Sequence, residues 1–179
     1  MTNTTYRPKP TAGRNGTQTM KAITITEPWA TLILIGEKTI ETRSWQTSYR
    51  GPIAIHAAKG MTRDELRCAL DQPIRGLLIN ASVFHCSPVW TMRAQFPRTR
   101  GRILAIADLV DCAPMVRSVA GEVRIIRHGR ARIGEPVPAR EKPLGHYAPG
   151  RFAWILENVR PVPERPEAKG ALSLWDWTR

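Results

Sequence analysis

Near its amino-terminal end the chain has two strand patterns with one helix pattern between them, and this order limits the possible folds most. KAITIT, residues 21–26, alternates apolar and polar positions with β-branched side chains, which is typical of a strand. In TEPWATLILIG, residues 26–36, Thr26 can cap a helix and Gly36 can end it in a left-handed conformation. TIETRSW, residues 39–45, predicts the second strand.

Four further strand patterns follow, and helix signals in the rest of the chain are few. The strand patterns cover residues 52–59, 101–112, 151–162 and 169–177. A hairpin is expected to turn at His128 and Gly129, and a short helix begins at Thr62, with Glu65 as its capping-box partner. Strands therefore outnumber helices, and the two do not alternate as they do in a doubly wound sheet.

This order predicts an α+β, mostly β protein built on a small, partly open β-barrel whose edges are shielded by short helices. Residues 1–19 are rich in threonine, proline and glycine with little to bury, so they predict a disordered basic tail. Residues 20–179 then form a single domain. Within it, residues 71–100 predict a variable insertion with one helix or one pair of strands.

The chain is strongly basic. Its 179 residues carry a formal net charge of +12, and the isoelectric point is about 10.6. A basic chain attracts polyanions, and nucleic acid is the first candidate. The charges are spread along the chain instead of forming one dense cluster, so a solvated basic surface remains the alternative interpretation.

The apolar and cysteine patterns predict where in the cell the protein is located and whether it binds a metal or a cofactor. No apolar run approaches the roughly 18 residues that cross a membrane, and the first residues lack the apolar segment of a secretory signal. We therefore expect a cytoplasmic protein without a membrane partner. Cys68, Cys86 and Cys112 are odd in number and widely spaced, which favours buried free thiols. His85 beside Cys86 has no second ligand pair at metal spacing, so we expect neither a metal nor a cofactor.

The stretch GEKTIETRSW, residues 36–45, carries the chemistry that stands out. Glu41 and Arg43 are two positions apart on a predicted strand, so their side chains share one face. Lys38 has the opposite parity in the preceding connection, but its long side chain can reach round. Arginine can hold the carboxylate by charge-assisted bonds, and either group can then meet a base edge or a phosphate. An exposed, salt-bridged strand that adds little stability is the alternative.

These residues resemble the opening half of an ASCH (activating signal cointegrator homology) domain. The hallmark of that family, GxKxxExR, is matched by Gly36, Lys38, Glu41 and Arg43. The closing stretch GRFAWILENVRPVPERPEAKGALSLWDW is similar to the last strands of the family, and the resemblance covers residues 20–60 and 101–177. It implies a fold similar to the PUA domain and RNA-related binding in a cleft lined by the motif.

The same resemblance raises an enzymatic alternative. Some small members of the family remove an acyl group from acetylated cytidine nucleosides, using a lysine followed three residues later by a threonine nucleophile. Here Lys38 is kept, but Glu41 stands where that threonine would be. A ribonuclease activity is also associated with the family. If the chain is an enzyme, Lys38 is the general base or an orienting cation, and Glu41 carries the proton.

Five further side chains are candidates for contact with a ligand. Trp29 and Trp45 can stack on a base, although each also suits the core. His56 lies on the strand face opposite two isoleucines, where a histidine is more often structural. Arg151 and Lys169 can form a phosphate-contacting rim, with solvated charge as the alternative. That rim would also include four arginines of the preceding loops: Arg124, Arg127, Arg130 and Arg132.

The sequence therefore leads to one principal functional hypothesis and two alternatives. The principal hypothesis is a binding module for RNA, single-stranded nucleic acid or a nucleoside-sized ligand, in which the GxKxxExR motif builds a charged cleft. The first alternative is a hydrolase that acts on the amide bond of a modified nucleoside, or a ribonuclease. The second is an adaptor that binds a protein partner and does not use the cleft.

Overall fold

An open sheet is the frame of the protein, and a computed structural model describes residues 18–81, 98–129 and 134–179. In these residues the chain forms eight strands and three α-helices. The strands are β1 (Thr19–Ile25), β2 (Ile40–Arg43), β3 (Gly51–Ala57), β4 (Arg102–Arg117), β5 (Val123–Ile125), β6 (Glu135–Pro136), β7 (Phe152–Pro161) and β8 (Leu174–Thr178). The helices are α1 (Trp29–Leu34), α2 (Arg63–Leu70) and α3 (Ile74–Asn80).

The main path of the sheet runs in the order β2-β7-β4-β3-β1-β8. The strands β1 and β3 are parallel, and every other pair along this path is antiparallel. Beyond its pairing with β7, the long strand β4 pairs with β5, which in turn pairs with β6. The sheet-rich α+β class is thus confirmed. Within the described residues the sheet is not closed, so the expected barrel is not confirmed, and the PUA-like fold stays a prediction.

The sheet is nevertheless curved. The strand β2 lies at one edge, and β1 lies next to the other edge. The Arg43 guanidinium on β2 still donates to the backbone carbonyl of Thr24 on β1, over 2.7 Å. Because a flat sheet would hold these strands far apart, the contact requires that the sheet bends toward β1. The GxKxxExR motif lies at the gap between β2 and β1.

Helix α1 packs on this curved sheet against β3, β4 and β7. Its residues Ala30 and Ile33 join one apolar cluster with Ile23, Ile55 and Trp154, and each of the five is at most 2% exposed. Burying a large apolar side chain of this kind contributes about 1.5–3 kcal/mol. This cluster therefore holds α1, and the connection that follows it, in a set position beside β2.

A second apolar cluster joins the three helices to a distant loop. Leu32 of α1 and Leu78 of α3 are fully buried in it, together with Leu144 of the short 3-10 helix Lys142–Leu144. The predicted capping box of α2 is confirmed, since Thr62 and Glu65 each accept from the backbone N–H of the other. Helix α3 lies within residues 71–100, for which the sequence predicted an insertion with one helix or one pair of strands, and residues 82–97 of that range lie outside the described residues.

Several strand boundaries differ from those predicted. The strand β4 continues to residue 117 instead of ending at 112, because its last residues pair with β5. The strand β8 begins at 174 instead of 169, where its pairing with β1 begins. The strand β1 begins at Thr19, inside the range assigned to the tail, and residues 1–17 are outside the described part. The expected hairpin is present as β5 and β6, with residues 130–133 not described.

The cysteine expectation holds for one described thiol and is wrong for the other. Cys112 is buried and free, as expected. Cys68 is free but exposed, because α2 buries only Ala69. Cys86 and His85 lie outside the described residues. In the described part of the chain, the helices are too short to span a bilayer.

The start of α1 also differs from the expectation that Thr26 caps it. One backbone N–H of the first turn instead meets a carboxylate, because Glu27 accepts from the Thr31 N–H over 3.0 Å and from the Thr31 hydroxyl over 2.9 Å. The Thr99 hydroxyl donates to the same carboxylate. Glu27 is fully buried, and this burial raises its pKa. The carboxylate therefore ties α1 to the chain that leads into β4.

Replacing Glu27 with alanine is expected to lower the free energy of unfolding by about 2 kcal/mol, because three donors lose their buried acceptor. Glu27→Gln is the matched control, since its amide keeps the size and one acceptor oxygen, and it should cost less than about 1 kcal/mol. Urea unfolding at neutral pH measures both. If the glutamine costs as much as the alanine, the negative charge itself holds the helix, contrary to this interpretation.

Candidate functional site

The end of α1 sets the position of the motif. Gly36 has φ of +79° and donates its N–H to the Ile33 carbonyl, so the predicted left-handed end of the helix is confirmed. Four residues later the chain enters β2, in which Ile40 and Thr42 are buried. Glu41 alternates with them on the other face, as the sequence predicted. The helix end and the strand parity together direct the motif toward the gap between β2 and β1.

A concave space of about 260 Å³ lies at this gap, and we call it the motif cleft. Its floor and walls come from the end of β1, the start of α1, the connection before β2, strand β2 itself, and three later residues, Gly145, His146 and Arg151. Lys38, Glu41 and Arg43 of the motif all line it. It is also lined by Thr24, Trp29, His146 and Arg151. Trp29 is half-buried and contacts both apolar clusters, so its ring is at once a core residue and an aromatic wall.

Lys38 is the most unusual side chain of the motif cleft. It is fully buried, and its Nζ lies 3.8 Å from Glu41 Oε2 and donates to the Ile40 carbonyl. Burial lowers the pKa of Lys38, while the charges of Glu41 and Glu141 act in the opposite direction. A buried amine between two carboxylates is a preorganised cation and hydrogen-bond donor.

Arg43 and Arg151 are each held in place by contacts with neighbouring groups. Arg43 Nε is 3.1 Å from Glu41 Oε1, and the other end of its guanidinium holds the Thr24 carbonyl. Arg151 donates to the Thr42 carbonyl over 3.0 Å. The Nε atoms of both arginines are buried and make no hydrogen bond of good geometry in the described residues. Buried donors of this kind are satisfied by a ligand or water in most proteins.

The loop that faces Lys38 was not predicted from the sequence. Glu141 is fully buried and accepts from the Thr39 N–H and hydroxyl over 2.6 and 2.7 Å, and from the Tyr147 hydroxyl over 2.9 Å. Gly145 passes so close to Lys38 that an added Cβ would lie 3.1 Å from its Nζ. The only signal was the run EKPLGHY, residues 141–147, in a proline-rich stretch about 100 positions from the motif. Nothing local linked the two.

Three sequence candidates lie outside the motif cleft. Trp45 packs edge-to-face on Trp154, with the ring centroids 4.6 Å apart, so it belongs to the core. His56 is 2% exposed and has both ring nitrogens bonded, to the Thr24 hydroxyl and to the Ala168 carbonyl. Burial lowers the pKa of His56. Lys169 is exposed and does not line the motif cleft.

The loop arginines also do not reach the motif cleft where the structure describes them. Arg124 donates to the Gly134 carbonyl, and Arg127 Nε lies 3.6 Å from the carboxylate of Asp111. Arg130 and Arg132 are outside the described residues. The expected phosphate rim is therefore reduced to Arg151 in the motif cleft.

Asp111 is the centre of a separate charged cluster on the bulged part of β4. It is 6% exposed and accepts from His128 Nδ1 over 3.0 Å, from Arg50 over 3.2 Å and from the Cys112 N–H over 2.8 Å. Burial acts to raise the pKa of Asp111, but the hydrogen bonds from His128 and Cys112 outweigh it and hold the pKa below its usual range. This cluster connects β4 to the chain after β5.

Replacing Asp111 with asparagine is expected to cost about 1–2 kcal/mol at neutral pH, since charge-assisted bonds become neutral ones. A carboxylate with a lowered folded pKa stabilises above its unfolded value, here 3.8, and loses that effect as the pH falls through the folded pKa. The stability difference between the parent and the variant should therefore shrink as the pH falls below 3.8, as urea unfolding between about pH 7 and 3 can show. Asp64→Asn, at an exposed position, is the control. A difference that persists unchanged at the lowest pH contradicts the assignment.

A known family model matches most of the chain. The family model for the ASCH domain matches residues 23–164. The match begins in β1 and ends after β7, so it contains every residue that lines the motif cleft. No curated protein matches the chain.

Proposed function

The chain belongs to the ASCH domain family, and from that membership we propose that it is an RNA-binding module that takes one unpaired base into the motif cleft. The observation that supports this most strongly is the convergence of Lys38, Glu41 and Arg43 on one concave space with Trp29 at its wall. The side chains of Lys38, Glu41 and Arg43 are 1%, 12% and 25% exposed, whereas charges on a solvated strand are largely exposed. Their arrangement favours a ligand over the alternative of surface decoration.

The charges of the motif cleft favour an anionic ligand that also carries a hydrogen-bond donor on one edge. Three cationic side chains and one carboxylate line it: Lys38, Arg43, Arg151 and Glu41. The carboxylate can accept from an exocyclic amino group, as carboxylates do from the N4 amino group of cytosine. The Nε–H of Arg151, which has no hydrogen-bond partner in the described residues, and the guanidinium of Arg43, whose Nε lies 3.1 Å from Glu41 Oε1, can meet a phosphate or a carbonyl oxygen of the base.

The size of the motif cleft favours a single base. Its volume of about 260 Å³ is just below the roughly 300–1,000 Å³ of pockets for drug-sized ligands. A base pair does not fit such a space, whereas a splayed-out base of a single strand does, which is the usual target of sequence-specific RNA recognition. Trp29 offers a ring on which this base can stack.

Fluorescence anisotropy with labelled RNA tests the proposal. We expect single-stranded RNA to bind more tightly than a duplex of the same sequence, and the affinity to fall as salt rises from about 50 to 200 mM, because phosphate contacts release counterions. Single-stranded DNA and free cytidine nucleotides are the comparison ligands. Absence of salt-dependent binding to any single strand overturns the proposal.

A second candidate function is hydrolysis of the amide bond of an acetylated cytidine, which the pairing of Lys38 with Glu41 favours. In this reaction a water molecule attacks the acyl carbon, Glu41 takes the proton of the water and returns it to the exocyclic nitrogen as the C–N bond breaks. The ammonium of Lys38 stabilises the carbonyl oxygen.

Incubation with acetylated cytidine, and separately with RNA, decides between the two candidates. Turnover that is lost in Lys38→Ala, in a variant shown by circular dichroism to be folded, supports the enzyme. Absence of turnover, or turnover that Lys38→Ala leaves unchanged, rejects it and leaves the binding module. Binding that survives replacement of all three motif residues points instead to an adaptor surface elsewhere.

A further inference from the structure

We propose that a second cavity next to the motif cleft binds the neighbouring base of the same RNA strand, so that the protein takes two consecutive unpaired nucleotides. This cavity, which we call the loop cavity, has a volume of about 430 Å³. It shares two lining residues with the motif cleft, Gly145 and His146. The proposal rests on the proposed function, because it concerns the extent of the same ligand.

The walls of the loop cavity suit a flat ring. Val123, Pro136 and Val137 give it apolar walls, and Tyr147 adds an aromatic side chain. Val137 is 4% exposed and packs in an apolar cluster with Met115, so this wall is part of the core and is rigid. A rigid, mostly apolar slot with an aromatic side is the environment in which single-strand binding proteins stack bases.

Tyr147 connects the loop cavity to the motif cleft. Its ring lines the loop cavity, while its hydroxyl donates to Glu141, which also accepts from Thr39 beside the buried Lys38. Lys38 Nζ lies 5.8 Å from the centre of the Tyr147 ring. One side chain thus forms part of the loop cavity and contacts the group behind the motif cleft, so the two spaces have a fixed relative position.

The division between the two spaces is thin because it contains a glycine. A Cβ on Gly145 would lie 3.1 Å from both Lys38 Nζ and the Tyr147 ring, so any larger residue would widen the division or displace those groups. Consecutive nucleotides of a single strand need their two binding spaces to be neighbours. The shared residues meet that requirement, whereas two unrelated pockets would not have to share any.

The charges at the mouth of the loop cavity suit the phosphate that joins the two nucleotides. Lys142 and His146 are exposed there, and His146 also lines the motif cleft. The one carboxylate in the cavity lining, Glu122, lies 3.6 Å from Arg124, which offsets its charge. A phosphate that crosses from one space to the other therefore passes cationic and neutral groups.

Isothermal titration with cytidine monophosphate and with the dinucleotides CpA and ApC tests the proposal. One dinucleotide is expected to bind about tenfold more tightly than the mononucleotide, as one additional stacked base provides. Val123→Trp fills the loop cavity at a half-buried position, so it should remove this gain and leave mononucleotide binding unchanged. Lys142→Glu should reduce the gain by about threefold to tenfold, whereas Lys59→Glu, an exposed charge reversal outside both spaces, should affect both ligands equally.

The outcomes separate this proposal from the proposed function. If the mononucleotide binds and neither dinucleotide binds more tightly, the second base site is wrong and the single-base module stands. If the gain persists in both Val123→Trp and Lys142→Glu, the second base lies elsewhere and the loop cavity is not its site. If wild-type protein binds neither mononucleotide nor RNA, the proposed function fails and the second site falls with it.

Discussion

Replacing Lys38 with methionine is expected to lower the free energy of unfolding by about 3 kcal/mol at neutral pH and to remove ligand binding by the motif cleft. The Nζ is buried 3.8 Å from Glu41, and the charge of Glu141 also acts on it. Methionine fills the same space but removes the buried cation beside both carboxylates, of which Glu41 keeps only Arg43. Removing one partner of a buried charge pair is costly mainly because of the charge that stays behind.

Two controls isolate that effect. Lys59→Met removes an exposed lysine and should change the stability by less than about 0.5 kcal/mol. Lys38→Met combined with Glu41→Gln should recover part of the lost stability, because one stranded carboxylate becomes neutral. Urea unfolding monitored by tryptophan fluorescence measures all three. If Lys38→Met is as stable as the parent, the buried ammonium does not hold the motif cleft together.

Replacing Arg43 with alanine is expected to weaken RNA binding by about 10-fold to 100-fold, which corresponds to the loss of charge-assisted hydrogen bonds to the ligand. The side chain also bridges β2 and β1 through the Thr24 carbonyl, so its loss loosens one wall of the motif cleft. Fluorescence anisotropy with single-stranded RNA measures the effect.

Arg67→Ala is the matched control for charge. Arg67 lies on the exposed face of α2, and its side chain is 76% exposed beside Asp64. Removing it lowers the net charge by the same amount as Arg43→Ala but leaves the motif cleft intact. The control should weaken binding by less than about threefold. Equal losses in the two variants mean that Arg43 contributes only general charge, contrary to the account.

The motif could be placed from the sequence because its geometry is local. A helix that ends at Gly36, followed by a short connection and a strand, fixes the facing of Glu41 and Arg43 by strand parity alone. The sheet-rich class followed in the same way from alternating segments such as β7. The capping box of α2 likewise needs only residues that are three positions apart.

The contacts that could not be predicted from the sequence join residues that are far apart in the chain. Glu141 and Gly145 meet Lys38 only because the loop that holds them is anchored by Leu144 among the helices. No period or cap links positions so far apart in the chain. For the same reason the sequence could not show that Trp45, unlike the motif side chains, belongs to the core. An aromatic residue at the end of a strand can pack in a core or line a cleft. In the structure Trp45 packs on the ring of Trp154, which places it in the core.

The curvature of the sheet is another feature that pattern alone did not settle. Alternation predicts strands but not how far their path bends, and the bend is evident only from the contact between Arg43 and Thr24. Glu27 accepts a hydrogen bond from the first turn of α1, and this was also not predicted. Its buried bond to Thr99 comes from a residue 72 positions away.

The central claim is that Glu41 reads the edge of a base in the motif cleft, and Glu41→Gln tests it most directly. The substitution keeps the size of the side chain and makes the protein more positive by one charge. If Glu41 accepts from a base amino group, the variant should bind single-stranded RNA about tenfold more weakly, with an unchanged salt dependence, as fluorescence anisotropy can measure. If RNA is held by positive charge alone, the variant should bind as tightly as the parent or more tightly, and that result contradicts the account.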